Sequence, residues 1–211
     1  MSGKFIVFEG IDGCGKGTQM MLISKFLFDY SKEIDLYLTR EPTRDFKEIR
    51  KKMASDTHVK QDPEWYAEMF VKDRKNHITN YIVPTLQKGT HVLCDRYKYS
   101  TLAYQWGQGM ELSKLNEMHD GLLVPDLILV FDCPADVAYE RRKNAGATDM
   151  FDKDVEFSKI LRKNYIALKE KLSNENIIII DATRTIAEIH EEVKKYILET
   201  IQSQSSSLET N

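Results

Sequence analysis

Apolar residues gather in five short runs: Phe5 to Phe8, Ile34 to Leu38, His91 to Cys94, Leu127 to Phe131 and Ile177 to Ile180. Each is too short for a helix and largely apolar at consecutive positions, which predicts buried strands of a parallel sheet covered on both faces. Between them the spacing becomes helical, most clearly in Phe157, Ile160, Leu161, Leu168 and Leu172 and again in Ile186, Ile189, Val193, Ile197 and Ile201. Residues at that period line one side of a helix, and we read both sets as core-facing. Strands alternating with helices predict an α/β fold with a five-stranded parallel sheet flanked by helices. We expect a single domain over residues 1–201, followed by a polar, serine-rich tail over 202–211 that frays or stays disordered.

In open parallel sheets ligands bind beyond the carboxyl ends of the strands, so the residues that follow each run carry the chemistry. After the first run comes Glu9 to Gln19, EGIDGCGKGTQ, leading into a helix-forming stretch. Gly10, Gly13 and Gly15 leave room for backbone N–H groups, including that of Cys14, to converge on an anion. Lys16 adds a mobile charge, and the next helix aims its positive end at the same point. This is a phosphate-binding P-loop, and it makes the expected architecture a three-layer P-loop fold. The pattern wants a hydroxyl directly after the lysine to meet Mg²⁺, but Gly17 stands there and Thr18 comes one place late. A hydroxyl at that second place is better set to meet a nucleotide phosphate. Mg²⁺ would then lean on nucleotide oxygens, water and a carboxylate elsewhere.

Thr39-Arg40-Glu41-Pro42 follows the second run and Asp95-Arg96-Tyr97 the third. Asp95 suits an acidic residue that holds Mg²⁺ through water beside a P-loop, or a strand-end carboxylate that caps a turn. Arg96 can fork onto an anionic oxygen or pair with its neighbour. A helix starting near Pro63 carries Phe70 and Arg74 four residues apart and so on one face. An aromatic plane beside a guanidinium suits a flat base joined to a phosphate, although Phe70 alone reads as core and Arg74 alone as a solvated charge. Taken with Arg40 and Arg96, Arg74 would complete three arginines around one anion, which favours a monophosphate acceptor over a neutral one.

Charge changes the picture little. Thirty basic against 33 acidic residues give a net charge of −3, so nothing draws the whole protein to nucleic acid or to an anionic membrane. No apolar run approaches the roughly 20 residues of a bilayer span, and the first strand follows the N-terminus without a signal-peptide pattern. Cys14, Cys94 and Cys133 lack metal-ligand spacing and read as reduced thiols. A cytoplasmic protein is expected.

The blocks FEGIDGCGKGTQ, TREP, EMFVKDRKNHI, DRYKYSTLAYQ, PDLILVFDCP and IIIIDATR together resemble, in order and spacing, the thymidylate kinases, particularly the bacterial and archaeal kind. The resemblance spans about Lys4 to Ile201. It implies Mg²⁺-dependent transfer of the γ-phosphate of ATP to dTMP, giving dTDP and ADP for dTTP synthesis, in a homodimer. It also implies base stacking on Phe70, acceptor-phosphate contacts from Arg40, Arg74 and Arg96, and a place for Asp12 facing the acceptor sugar and phosphate. Ser100, Thr101, Tyr104 and Gln105 would line the base and deoxyribose, with Tyr104 crowding a 2′-hydroxyl, and Pro42 would close the base pocket. Arg184 would lie near the donor adenine. Read without the resemblance, Asp12 could fix the turn, Tyr104 could be core, and Ser100 and Thr101 could be helix caps.

The stretch Tyr139 to Asp152 occupies the place of the family's lid. Many relatives carry arginines inside the lid and in a DRFE motif where this chain has Asp149-Met150-Phe151-Asp152. The P-loop arginine of the eukaryotic kind is also absent, because Gly13 stands there. Arg141, Arg142 and Lys143 are left as cations for the transferring phosphoryl group, and of these we single out Arg142 as catalytic beside Lys16, Asp12 and Arg96. The alternative for the basic run is a solvated helix face. Other function readings are a kinase acting on dUMP, UMP or a nucleoside, and a nucleotide-binding switch. A nucleoside acceptor does not require three anion-directed arginines, and the Asn-Lys-x-Asp of guanine-specific switches is missing from the sequence.

Overall fold

The computed structural model describes residues 2–56, 62–146 and 154–203. Five strands form one all-parallel sheet in the order β2-β3-β1-β4-β5: β1 (Phe5–Glu9), β2 (Leu36–Arg40), β3 (His91–Asp95), β4 (Leu127–Asp132) and β5 (Ile177–Asp181). All five residues of central β1 are buried, and β3 and β4 on either side of it are buried through their middles. The expected two-sided burial thus holds for the inner strands.

Two differences from the sequence reading matter for the site. Strands β1, β3, β4 and β5 each run one residue past their apolar stretch, so that Glu9, Asp95, Asp132 and Asp181 sit in the ladder at its carboxyl edge. Strand β2 begins at Leu36, two residues later than the apolar run, because the backbone pairs with β3 from Leu36 opposite His91 to Arg40 opposite Asp95. As an edge strand β2 is only half-buried, and Ile34 lies in the preceding loop with its N–H on the Ser31 carbonyl.

The helices are α1 (Lys16–Tyr30), α2 (Lys47–Ser55), α3 (Pro63–His77), α4 (Val83–Gln87), α5 (Lys98–Gly107), α6 (Leu112–Met118), α7 (Ala135–Asn144), α8 (Val155–Lys171) and α9 (Ile186–Gln202). Pro63 opens α3 at a position where a missing N–H costs nothing. A π-helical turn over Ile78–Ile82 joins α3 to α4. Pro84, which cannot donate to the preceding turn, gives the reason for that widening. Helix α9 starts on a full capping box, Thr185 with Glu188, and runs through Gln202. The two helical stripes are largely core: Phe157, Leu161, Leu168, Ile189, Val193 and Ile197 are buried, whereas Ile160 and Ile186 are exposed. Residues 147–152 of the expected lid and 204–211 of the tail lie outside the described residues. No described helix is long and apolar enough to cross a membrane.

Candidate active site

Helix α1 begins on Gly15, at φ 100°, with no side chain capping it and no acidic residue in its first turn. The N–H groups of its first turn are therefore left for an anion. Lys16 is buried, with its Nζ donating to the carbonyls of Gly10 at 3.0 Å and Ile11 at 3.1 Å, and lying 4.0 Å from Asp12 Oδ1. Space around Gly17 is open, since a Cβ there would meet nothing within 4 Å. The missing hydroxyl is thus not a steric requirement of the fold. Thr18 is exposed.

Gly13 is different. Its φ is +86°, and an added Cβ would lie 2.3 Å from the Ala138 carbonyl oxygen and 2.9 Å from Arg142 Cγ. Helix α7 therefore packs directly on the loop, and this close approach carries Arg142 Nη1 to 3.5 Å from Asp12 Oδ2. The other two basic residues go elsewhere. Arg141 donates to the Ala182 carbonyl at 3.0 Å, and Lys143 lies exposed beside Glu140.

Arg96 faces Asp12 from the opposite side. Its Nη2 donates to Asp12 Oδ1 at 2.7 Å and its Nη1 to Ser100 Oγ at 2.8 Å and to the Tyr165 hydroxyl at 3.0 Å. Desolvation in the cleft would raise the Asp12 carboxyl, but Arg96, Lys16 and Arg142 outweigh it and hold the group well below the usual carboxylate range. Behind Arg96 lies Glu9, fully buried, whose carboxylate accepts from the Tyr97 N–H, the Ser100 hydroxyl and the Tyr165 hydroxyl. Burial raises the Glu9 carboxyl, against the pull of Arg96.

Between α3 and α5 opens a cavity of about 190 Å³ lined by Asp12, Glu41, Pro42, Phe70, Arg74, Arg96, Ser100, Thr101, Tyr104 and Gln105, together with Met53, Tyr66, Tyr97 and Gln108. Spacing explains much of it, because Ser100, Thr101, Tyr104 and Gln105 share one face of α5 and Phe70 and Arg74 one face of α3. Phe70 stacks on Tyr66, with ring centroids 5.8 Å apart at 26°. Tyr104 places its hydroxyl 3.4 Å from Asp12 Oδ2. Gln105 donates to Gln108 Oε1 at 2.9 Å, while its own buried Oε1 has no partner among the described residues.

Arg40 is not gathered with these. It is exposed at the end of β2 and lines a separate cavity of about 560 Å³ with Thr39, Arg44, His77 and Tyr81. Asp95 Oδ1 is buried and without a hydrogen-bond partner among the described residues. Arg184 is tied to the Asp181 carbonyl and to Glu192 on α9. Ser100 and Thr101 are not caps, since α5 begins after Tyr97 and both side chains have partners in the site.

Sequence reasoning missed the groups that hold these residues. Arg74 is 2% exposed, and its Nε donates to Glu41 Oε2 at 2.7 Å, its Nη1 to His119 Nε2 at 2.8 Å and its Nη2 to Thr101 Oγ1 at 3.3 Å. Glu41 also accepts from His77 Nδ1 at 3.0 Å, and Asp73 accepts from the Thr43 N–H at 2.7 Å and from its hydroxyl. The 41–43 loop is thereby clamped to α3.

His119 gives a pH dependence. Burial first, and then the Arg74 charge, push its imidazole from 6.5 down to about 3. The unfolded chain takes up that proton near the usual histidine value and the folded protein does not. Stability present above about pH 6.5 is therefore lost as the pH falls toward 3, at up to about 1.4 kcal/mol per pH unit. Urea unfolding from about pH 7 to about pH 4 is expected to show a shallower loss for His119→Gln than for the unsubstituted protein. Parallel curves would assign the acid sensitivity to other groups.

The family model described as thymidylate kinase matches residues 8–193. The chain is 36% identical over 198 residues to the probable thymidylate kinase of Pyrococcus abyssi, covering 92% of this chain and 95% of that one. It is 37% identical over 204 residues to the thymidylate kinase of Cupriavidus necator, covering 93% and 98% of the two chains, and 36% identical over 203 residues to that of Caldicellulosiruptor saccharolyticus, covering 93% and 97%. The family match spans both the P-loop and the residues that line the cavity, and the chain belongs to the thymidylate kinase family.

Proposed function

We propose that the protein transfers the γ-phosphate of ATP to dTMP, giving dTDP and ADP, and that it does so as a homodimer in the cytoplasm. The observation that carries this is the single cavity in which a stacking aromatic, Phe70, and two arginines, Arg74 and Arg96, open beside Asp12 of the P-loop. A flat base with a charged tail fits between them. The buried Oε1 of Gln105, which has no partner among the described residues, suits an N3–H, which thymine has and cytosine lacks.

Lys16, the loop N–H groups and the start of α1 would hold the donor phosphates, with Arg184 toward the adenine. Arg96 would hold the acceptor phosphate, and Arg40 would have to turn inward from the end of β2 to join it. Asp12 would meet the acceptor sugar and phosphate, and Tyr104 would crowd a 2′-hydroxyl. Arg142, at the junction of α7 and the P-loop, is our choice among the lid cations for the charge of the transferring group. The buried Oδ1 of Asp95, which has no partner among the described residues, fits a metal-bound water. Mg²⁺ held there, with phosphate oxygens and water as its other ligands, would supply charge neutralisation. No side-chain nucleophile is required, because positioning and fixed charge suffice for in-line transfer.

The test is ADP release with ATP and Mg²⁺, offering dTMP, dUMP, dCMP, UMP and thymidine in turn. dTMP is expected to support the highest kcat/KM, and preference for thymidine or for a cytosine nucleotide would overturn the reading. For Phe70→Ala, calorimetry is expected to show dTMP binding weaker by about 1 to 3 kcal/mol, the usual worth of base stacking on an aromatic side chain. Unchanged affinity would remove Phe70 as the base platform.

A further inference from the structure

Arg74, which lines the cavity, is held by a residue that no motif contains. A guanidinium has five N–H donors in one plane. Three of those of Arg74 are engaged, by Glu41, His119 and Thr101, and its Cζ lies 5.1 Å from the Tyr97 ring centre. Glu41 offsets its charge, so what Arg74 offers a ligand is the direction of its two remaining N–H groups, one on each terminal nitrogen. Glu41 reaches it from the loop after β2 and Thr101 from α5. His119 comes from the end of α6 and fixes Nη1.

The chemistry of that last contact is unambiguous. Arginine only donates, so His119 Nε2 must be the unprotonated acceptor at 2.8 Å, and Nδ1 then carries the proton that goes to the Leu115 carbonyl at 2.6 Å. His119 is 5% exposed and does not line the cavity. We propose that His119, as a neutral Nδ1–H tautomer, is a positioning residue for the acceptor nucleotide, acting through Arg74 by fixing the plane of its guanidinium. A histidine in this place holds an arginine without neutralising it further, as a second carboxylate would. The inference rests on the reading that the acceptor occupies this cavity.

The experiment compares His119→Leu, which removes the acceptor atom at similar volume, with His119→Gln, which can return one. His119→Leu is expected to raise the KM for dTMP about 10-fold or more while the KM for ATP and kcat at saturating dTMP stay within about threefold, the scale of one lost hydrogen bond to a charged group. His119→Gln is expected to restore most of the dTMP KM. A folded His119→Leu protein with an unchanged dTMP KM, or one whose ATP and dTMP constants move together, would overturn the proposal. Should His119→Leu fail to fold, ¹⁵N spectroscopy of the unsubstituted protein decides. An unprotonated Nε2 coupled across the bond to an Arg74 N–H is expected, and an Nε2–H tautomer would overturn it. A protein that bound no dTMP at all would instead overturn the proposed function, leaving the tautomer result standing.

Discussion

Replacing Lys16 with Ala is expected to lower kcat by about 100- to 1,000-fold or more, the usual cost of deleting one preorganised charge donor at a reacting centre. The reason lies in where its ammonium now sits. It rests on the Gly10 and Ile11 carbonyls inside the loop, buried and within reach of the helix terminus where donor phosphates would arrive. Charge developing there in the transition state has no other buried lysine of the P-loop to meet it. Acceptor binding is a separate matter, since Lys16 is not among the residues that line the cavity holding Phe70 and Arg74. The dTMP dissociation constant is accordingly expected to stay within about threefold, and Lys16→Met, which keeps most of the stem, to behave like Lys16→Ala in kcat. Single-turnover rates and dTMP calorimetry on both variants check this. A kcat within about tenfold of the unsubstituted protein, or a parallel collapse of dTMP affinity, would place the phosphate charge elsewhere.

How far the chain could be read depends on the distance over which each feature is determined. The P-loop is set within a dozen residues by backbone freedom and a helix start, so its position was readable from Glu9 to Gln19 alone. Inner strands were readable because burial on both faces writes a continuous apolar run. Edge strand β2 was found but its ends were misplaced by two residues, since half-burial leaves no continuous apolar run to mark where the ladder with β3 starts and stops. Helical spacing put Phe70 and Arg74 on one face of α3, whereas the cavity face of α5 and the roles on it came from family resemblance. What escaped was the layer behind: Glu9 with Tyr165, Glu41 with His77, and His119 with Arg74 meet only after the chain closes. Their separations in sequence are 156, 36 and 45 residues, and neither spacing nor composition links them. Glu9, directly after the apolar run Phe5 to Phe8, was the one local signal, because an acid at the end of a buried strand needs partners from elsewhere.

Arg96 concentrates the largest combined effect on folding and activity. It is one of two non-glycine residues with positive φ among the described residues, at 73°, a conformation that costs a side-chain-bearing residue about 1 to 2 kcal/mol. That backbone turn lets one guanidinium serve Asp12, Ser100 and Tyr165 while its charge faces buried Glu9. Arg96→Ala removes the ion-pair partner of Asp12 and a charge that favours the buried Glu9 carboxylate, and it is expected to unfold at lower urea than the unsubstituted protein. Arg96→Gly makes the same deletion but relieves the left-handed backbone, so it is expected to unfold at higher urea than Arg96→Ala. Arg96→Lys keeps the charge and loses the fork, and its kcat/KM for dTMP is expected to fall about 100-fold or more, because a point charge cannot hold Asp12, Ser100 and a phosphate oxygen at once. The three variants separate strain, charge and geometry. If Arg96→Lys kept kcat/KM within about threefold, charge alone would be enough and the planar fork would have no part in holding the acceptor. If Arg96→Ala were as stable as Arg96→Gly, the positive φ would carry no cost that the active site has to hold in place.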